Sequence, residues 1–300
     1  MTENATQLHL AALPPFSLSA VALSHGWIQL PPFGYDRDSG TLTYVTRLGS
    51  DTITGLQIAE VRDGVDVTAG ATLTAQEQAE LAAQVTWMLG LNQDLVPFHT
   101  QARGEPKLAH VIGSARGRIL RSSTLFEDTV KTILTTNTSW AGTIRMVEAL
   151  VSRFGDPLPD DRTRHAFPTP ARLASTEVQT LRLVARLGYR APHVLDLARA
   201  VASGDLDLES LQTTDEPSEQ LRARLLEING VGAYSAANLL IILGRYDFIP
   251  VDSWARKLVS HEWYGGESVR STDVEAAFER WGEWKGLAYW FWDWAYMAQD

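Results

Sequence analysis

The order of the local sequence patterns predicts an α+β protein in which a small antiparallel sheet precedes a mostly helical body. Residues 42–68 alternate apolar and polar side chains and are rich in β-branched residues, as strands are. From Thr74 onward the apolar residues recur at helical spacing. Strands that come first and helices that follow are typical of the α+β class. With 300 residues the chain has room for about two domains, which we place at 1–118 and 119–300.

The sheet is predicted from two runs. TLTYVTRL, from Thr41, reads as one strand, and GLQIAEV followed by VDVTA reads as a hairpin that turns at Asp63-Gly64. Thr74 and Glu77 then form a capping box ahead of an amphipathic helix.

Caps and helix breakers place the later helices. One helix starts at Phe126 and breaks at Asn137-Thr138-Ser139, and the next ends at Gly155. After a proline-rich loop, further helices are predicted at about 176–186, 191–203, 217–227 and 233–243, one from Ser253, one capped by Thr272 and Glu275, and a last one over LAYWFWDWAYMAQ.

Charge is unevenly distributed. The net charge of −10 argues against a broadly basic nucleic-acid binder. Residues 101–125 nevertheless hold five basic side chains against Glu105 alone. This stretch is either an exposed, solvated linker or a local phosphate contact.

Composition excludes several classes of protein. The chain has no cysteine, which rules out disulfides, an iron–sulfur cluster and thiol-bound zinc. The seven histidines have no zinc-type spacing, so we assign no catalytic metal. No apolar run approaches the ~20 residues of a membrane span, and the start MTENATQLHL does not resemble a signal peptide. We expect a cytoplasmic protein.

The stretch NGVGAYSAANLL, residues 229–240, holds a Gly-x-Gly turn at the start of an apolar helix. A dinucleotide-binding fingerprint would need a strand before the turn and a third glycine at Ser235. The pattern instead predicts two helices joined by a tight turn, hairpin 225–243. Free N–H groups at Gly230, Gly232 and Ser235 could bind one phosphate without any net positive charge. An ordinary helical hairpin is the alternative.

Residues 225–259, LLEINGVGAYSAANLLIILGRYDFIPVDSWARKLV, resemble the helix-hairpin-helix DNA glycosylase (HhH-GPD) superfamily, in which such a hairpin precedes a Pro-Val-Asp. LTTNTSWAGTIRMVEAL (134–150) and LGYRAPHVLDLARA (187–200) are similar to segments of its 8-oxoguanine branch. The resemblance covers about residues 120–300. It implies an N-terminal sheet domain on a two-lobed helical body, and it places the chain between that branch and the 3-methyladenine branch.

The resemblance implies that Asp252 is the catalytic residue, although alone it reads equally as a helix N-cap. A fixed carboxylate would stabilise the positive charge that develops on a sugar when its N-glycosidic bond breaks. Members that also cut the strand carry a lysine two residues past the second hairpin glycine, where this chain has Tyr234. We therefore expect a monofunctional enzyme that uses water and has no β-lyase activity.

The same resemblance assigns the remaining site residues. Tyr234, Tyr289 and Asp293 would line the base pocket, and an aromatic pocket suits a cationic alkylated purine. Asn137 would fill the gap left by the extruded base, and Tyr189 and Arg190 would contact the orphaned partner base. Gly142 departs from the pattern, because the 8-oxoguanine branch has an arginine there.

The expected partner is double-stranded DNA that contains damaged bases, bound by a monomer. No cofactor is required, although the resemblance implies a Na⁺ or K⁺ ion on the backbone carbonyls of Leu226, Ile228 and Val231. Release of 3-methyladenine-type purines is the expected reaction. A glycosylase for oxidised or deaminated bases and a non-catalytic DNA-damage binder are the alternatives.

Overall fold

A computed structural model describes residues 5–49 and 51–294. They form two compact units, one of residues 1–94 and 118–210, the other of residues 95–117 and 211–300. These units divide the chain differently from the predicted domains 1–118 and 119–300, because helices that follow residue 118 pack with the sheet in the first unit.

The predicted α+β class is confirmed. Five antiparallel strands, in the order β1-β5-β4-β3-β2, precede all of the α-helices except the short α1, which lies between β1 and β2. The strands are β1 (Thr6–Ala11), β2 (Gly34–Asp36), β3 (Thr41–Arg47), β4 (Ile53–Val61) and β5 (Gly64–Ala69). The α-helices are α1 (Leu18–Ala22), α2 (Ala75–Leu89), α3 (Val96–Ala102), α4 (Ala109–Gly113), α5 (Leu125–Thr135), α6 (Trp140–Phe154), α7 (Pro170–Ala174), α8 (Val178–Leu183), α9 (Ala191–Ser203), α10 (Ser218–Leu226), α11 (Ala233–Ile242), α12 (Ser253–Trp263), α13 (Ser271–Phe278) and α14 (Lys285–Phe291).

Strands β3, β4 and β5 agree with the predicted sheet, including the turn at Asp63-Gly64. The edge strands β1 and β2 were not predicted. β1 pairs with β5 from Thr6↔Ala69 to Ala11↔Gly64, so its partner lies almost sixty residues away along the chain. Such distant pairing leaves no local signal in the sequence.

Local capping signals were reliable in α2 and less so near the C-terminus. The Thr74–Glu77 capping box is present. The predicted cap at Thr272 and Glu275 was wrong: α13 begins after Arg270, whose backbone N–H is accepted by Asp273 at 2.7 Å. The last helix ends at Phe291, because the Asp293 N–H bonds outside the helix, to the Lys107 carbonyl at 3.0 Å. The rest of the predicted final helix, 295–299, lies outside the described residues.

Helix α5 is fixed to the sheet of the first unit by buried polar side chains. Lys131 Nζ lies 2.6 Å from Glu127 Oε1, and both side chains are at most 1% exposed. Glu127 also accepts the Tyr44 hydroxyl proton at 2.7 Å. The neighbouring Asp128 accepts from Trp27 Nε1 at 2.7 Å, and burial raises its pKa to about 6.

Arg118, from the basic stretch 101–125, is a core residue. Its guanidinium is 1% exposed and donates to four backbone carbonyls, those of Leu13, Pro15, Gly90 and Gln93, at 2.5 to 2.8 Å. Arg121 is likewise buried. The exposed-linker interpretation of this stretch is therefore wrong for these two arginines, which hold the first unit together.

Candidate functional site

The Gly-x-Gly turn joins α10 to α11 in the second unit, as predicted for hairpin 225–243. Gly230 has a φ of +91°, which a side chain would disfavour. The Val231 N–H closes the turn on the Ile228 carbonyl at 2.9 Å. The side chains of both residues are buried, so the turn is fixed to the core.

The fold does not require a glycine at position 232. Its φ of −95° is open to any residue, and a Cβ atom there would meet nothing within 4 Å. As the N-cap of α11 it lies where helix N–H groups lack intrahelical acceptors. An external group that comes close to this backbone would explain the glycine. Ser235, the third predicted phosphate contact, is 1% exposed, so only its backbone could take part.

Asp252 is both an N-cap and an available carboxylate. Its Oδ1 accepts the Ala255 N–H at 2.7 Å at the start of α12. No other described residue hydrogen-bonds the carboxylate, so Oδ2 can meet a ligand. The cap bond fixes the orientation of the group, and this is the preorganisation that a catalytic carboxylate requires.

Two tyrosines interact electrostatically with Asp252. Burial raises the pKa of Tyr289 well above its usual range, and the negative charge of Asp252 and the phenol of Tyr234 raise it further. The pKa of Tyr234 is also raised, mainly by burial; a hydrogen bond with Asn238 lowers it in part, and the charge of Asp252 adds a smaller increase. The second unit therefore brings together three of the predicted site residues. Phe278 packs edge-on against the Tyr289 ring at 5.7 Å.

Asp293 lies beyond the end of α14 and is exposed. In the predicted final helix, Asp293 would follow Tyr289 by one turn on the same face. The helix stops at Phe291, so Asp293 does not lie on that face. Its backbone N–H donates to Lys107, and its carboxylate acts on His110, whose pKa is lowered by burial and by Arg116 and raised in part by Asp293.

Asn137 and Tyr189 lie together in the first unit. Asn137 follows α5 at the predicted break and has a φ of +48°, a conformation that asparagine tolerates. Its Nδ2 donates to the Tyr189 hydroxyl at 3.2 Å. Tyr189 is 51% exposed, and hydrogen bonds with Thr136 and Asn137 lower its pKa. This pair is presented to solvent, as a DNA contact requires.

Arg190 has a different position from its neighbour. It is 7% exposed, and its guanidinium donates to the carbonyls of Thr136 and Asn137 at 3.1 Å. It therefore holds the loop that carries Asn137. A Cβ atom on Gly142 would lie 2.3 Å from Thr138 Oγ1, so the arginine of the 8-oxoguanine pattern has no space there unless Thr138 moves.

A family model described as HhH-GPD superfamily base excision DNA repair protein matches residues 130–283. This is just over half of the chain. The chain belongs to this superfamily. Hairpin 225–243, Asn137, Tyr189 and Asp252 lie inside the matched range, and Tyr289 and Asp293 lie beyond it.

Relatives fall on both branches that the sequence predicted for this superfamily member. A probable N-glycosylase/DNA lyase of Methanothermobacter thermautotrophicus is 25% identical over 228 residues, 69% of this chain and 72% of that protein. The DNA-3-methyladenine glycosylase of Bacillus subtilis is 24% identical over 59% of this chain and 58% of that protein. The structure of Clostridium acetobutylicum 8-oxoguanine glycosylase/lyase, in complex with double-stranded DNA containing cytosine opposite 8-oxoguanine, is 17% identical with a TM-score of 0.74 over 100% of this chain and 97% of that one.

Sequence reasoning missed Trp254, two residues beyond Asp252 in this HhH-GPD chain. Its ring is 49% exposed, and Lys257 Nζ lies 5.4 Å from the ring centroid. The available signal was a large apolar residue in the first turn of α12, outside the apolar positions Ala255, Leu258 and Val259 that are buried. Within the described ranges no helix is long and apolar enough to cross a membrane, and no cluster of metal-ligating side chains is found.

Proposed function

We propose that this base excision repair protein is a monofunctional DNA glycosylase that extrudes an alkylated purine from duplex DNA and hydrolyses its bond to deoxyribose. The observation that carries the proposal is the Asp252 carboxylate, with one oxygen held by the Ala255 N–H and the other available. The two tyrosines that interact with this carboxylate supply aromatic surface beside it.

The carboxylate acts on charge that develops during bond cleavage. The electron pair of the C1′–N bond leaves with the base, the sugar becomes cationic, and a water oxygen forms the new bond to C1′ while its proton passes to solvent. At ~4 Å and an effective dielectric constant of about 20, a carboxylate stabilises such a cation by ~4 kcal/mol. That corresponds to about a thousandfold in rate.

Water is the proposed nucleophile because no lysine occupies the position of Tyr234. Of the four lysines in the chain, Lys131 is buried against Glu127, Lys107 pairs with Glu262, and Lys285 pairs with Glu275 and Glu279. Lys257, on the helix that Asp252 caps, is exposed. Borohydride trapping with damaged DNA tests this point: a covalent adduct would refute the water mechanism, and its loss in Lys257→Ala would identify the amine.

An alkylated purine is the favoured substrate because many such bases are cationic. Aromatic rings attract a desolvated cation by ~1–2 kcal/mol, and Tyr234 and Tyr289 are the predicted pocket rings. The similarity to a DNA-3-methyladenine glycosylase supports this substrate class. The placement of Asp293 in the base pocket, where its carboxylate would face the cationic base, stays a prediction.

Oxidised guanine is the second candidate. The Asn137–Tyr189 contact favours it, because both residues come from segments that resemble the 8-oxoguanine branch. The crowded position of Gly142 argues against it, since the arginine of that branch is missing.

DNA would be held by the hairpin backbone. The N–H groups at Gly232 and the first turn of α11 suit a phosphate oxygen. The resemblance also implies a monovalent cation on the carbonyls of Leu226, Ile228 and Val231. Carbonyl oxygens suit such an ion, and the buried Ile228 and Val231 side chains fix the backbone that would hold it. The bound cation would offset part of the phosphate charge.

The test is a panel of duplexes that each carry one damaged base, with the freed base identified by chromatography. We expect release of 3-methyladenine and 7-methylguanine. Release of 8-oxoguanine or uracil alone would overturn the substrate assignment. Tight binding of an abasic-site duplex without release of any base would identify a non-catalytic damage binder.

A further inference from the structure

An exposed apolar turn lies beside the Asn137–Tyr189 pair. We call residues 182–189 the apolar turn. Leu183 is 77% exposed, Val184 is 43% exposed and Tyr189 is 51% exposed. No other large apolar side chain among the described residues is as exposed as Leu183. Single exposed apolar residues are common, whereas several of them in one short segment are typical of an interaction site.

The backbone of the apolar turn is anchored, so this exposure is imposed by the fold. Leu181, Ala185 and Leu187 alternate with the exposed residues and are completely buried. The Val184 N–H donates to the Thr180 carbonyl at 2.8 Å, and the Arg190 N–H donates to the Leu187 carbonyl at 3.1 Å. A segment with such a fixed backbone loses little backbone entropy when it binds a partner.

The charge of the apolar turn favours an anionic partner. Arg182 and Arg186 are exposed, and neither forms an ion pair with a described carboxylate. Residues 177–190 hold three arginines and Glu177 alone, in a chain of net charge −10. Apolar side chains rimmed by arginines suit the minor groove of DNA, where proteins insert apolar wedges between base steps.

Arg190, the third arginine of this segment, is buried and is not available to contact DNA. Its guanidinium is engaged by the carbonyls of Thr136 and Asn137, so it does not offer a cation to the opposite strand. Arg186, with a φ of +58°, is the exposed arginine nearest to Tyr189 along the chain.

We infer that Leu183 and Val184 form an apolar wedge that packs into the minor groove of the damaged duplex, while Arg182 and Arg186 contact its phosphates. This inference rests on the proposed function, since it requires that the chain bind duplex DNA with an extruded nucleotide. Filling the groove would offset part of the unstacking cost of extrusion.

The test measures the affinity for a short duplex that carries an abasic-site analogue, by fluorescence anisotropy. The double variant Leu183→Ala/Val184→Ala should bind on the order of tenfold more weakly, from the loss of buried methyl groups. Leu183→Met keeps an apolar wedge and should bind like the wild type. Leu23→Ala removes a side chain that is 43% exposed elsewhere in the same unit and is the matched control.

Two further measurements separate a wedge from a general apolar contact. With 2-aminopurine beside the abasic site, binding of the wild type should unstack the probe and raise its fluorescence, and the double alanine variant should raise it less. Replacing Arg182 and Arg186 by glutamine should lower the slope of log Kd against log salt by about 1.8, at about 0.9 for each phosphate contact.

Wild-type affinity in the double alanine variant, or an equal loss of affinity for single-stranded DNA, would overturn the inference. Base release by the wild-type protein is measured separately. If release occurs and the apolar turn proves neutral, only the wedge fails. If no base is released from any duplex, the proposed function fails.

Discussion

Asp252→Asn separates the chemical role of this side chain from its structural role. Asparagine keeps an oxygen that can accept the Ala255 N–H, now at 2.7 Å from Oδ1. Asparagine and aspartate are about equally good N-caps, so stability should change by only a few tenths of a kcal/mol. The substitution therefore removes a negative charge and little else.

The size of the rate loss reports where the carboxylate lies relative to the sugar. A charge ~4 Å from the reacting centre contributes ~4 kcal/mol at an effective dielectric constant of about 20 and ~1 kcal/mol in bulk water. These values correspond to losses of about a thousandfold and about fivefold. Because Asp252 is half-buried, we expect a loss toward the larger value, with affinity for an abasic-site duplex unchanged.

The assay is single-turnover base release with excess enzyme, accompanied by thermal unfolding. Asp273→Asn, which alters another carboxylate at a helix start, is the control and should leave the rate unchanged. Asp252→Ala should lose the same rate and, in addition, about 1 kcal/mol of stability through the lost cap. A less than about fivefold loss in Asp252→Asn would refute the assignment of Asp252 as the group that stabilises the sugar cation.

Three further predictions concern the stability of the protein and the binding of DNA by its hairpin. Lys131→Met should lower the free energy of unfolding by about 3–5 kcal/mol, because Glu127 is left charged and buried; denaturant titration measures this, and Glu127→Gln added to it should recover part of the loss. Gly232→Ala should change stability by at most about 1 kcal/mol but weaken binding of an abasic-site duplex. Gly230→Ala should destabilise the fold, because residue 230 has a φ of +91°. A DNA affinity of Gly232→Ala equal to that of the wild type would exclude close contact between DNA and the backbone at residue 232. Asp128 has a pKa of about 6 in the fold, raised from the ordinary aspartate value of 3.8. The stability that the protonated side chain contributes is therefore complete below pH 3.8 and is lost as the pH rises through 6. Relative to the wild type, Asp128→Asn should become more stable over this interval, and parallel curves of stability against pH for the two proteins would contradict the shift.

Features set by neighbouring residues were predictable from the sequence. The Thr74–Glu77 capping box, the break at Asn137 and the helix end at Gly204 each depend on a few adjacent side chains. The hairpin could be predicted because two glycines stand between two helical patterns. Competing short-range signals caused the error at α13, where Asp273 rather than Glu275 accepts at the helix start.

Features set by distant contacts were not predictable. The charge of Arg118 suggested solvent exposure, and nothing local shows that carbonyls from residues 13–15 and 90–93 surround it. Arg190 likewise reads as a surface residue until the carbonyls of Thr136 and Asn137 are seen next to it. For the site, the motif gave Asp252 and Tyr234, whereas the position of Asp293 depends on where α14 ends.

The carbonyls around Arg118 make the N-terminal segment a required part of the folded core. Leu13 and Arg118 are 105 residues apart in the chain, and Pro15 and Arg118 are 103 apart. Closing so long a loop is entropically costly and slow compared with local helix formation. Removing the first fifteen residues would leave guanidinium donors of a permanently charged side chain without acceptors. Truncated versions of this protein that begin after residue 15 should therefore misfold or aggregate, even though helices α2 to α14 are retained.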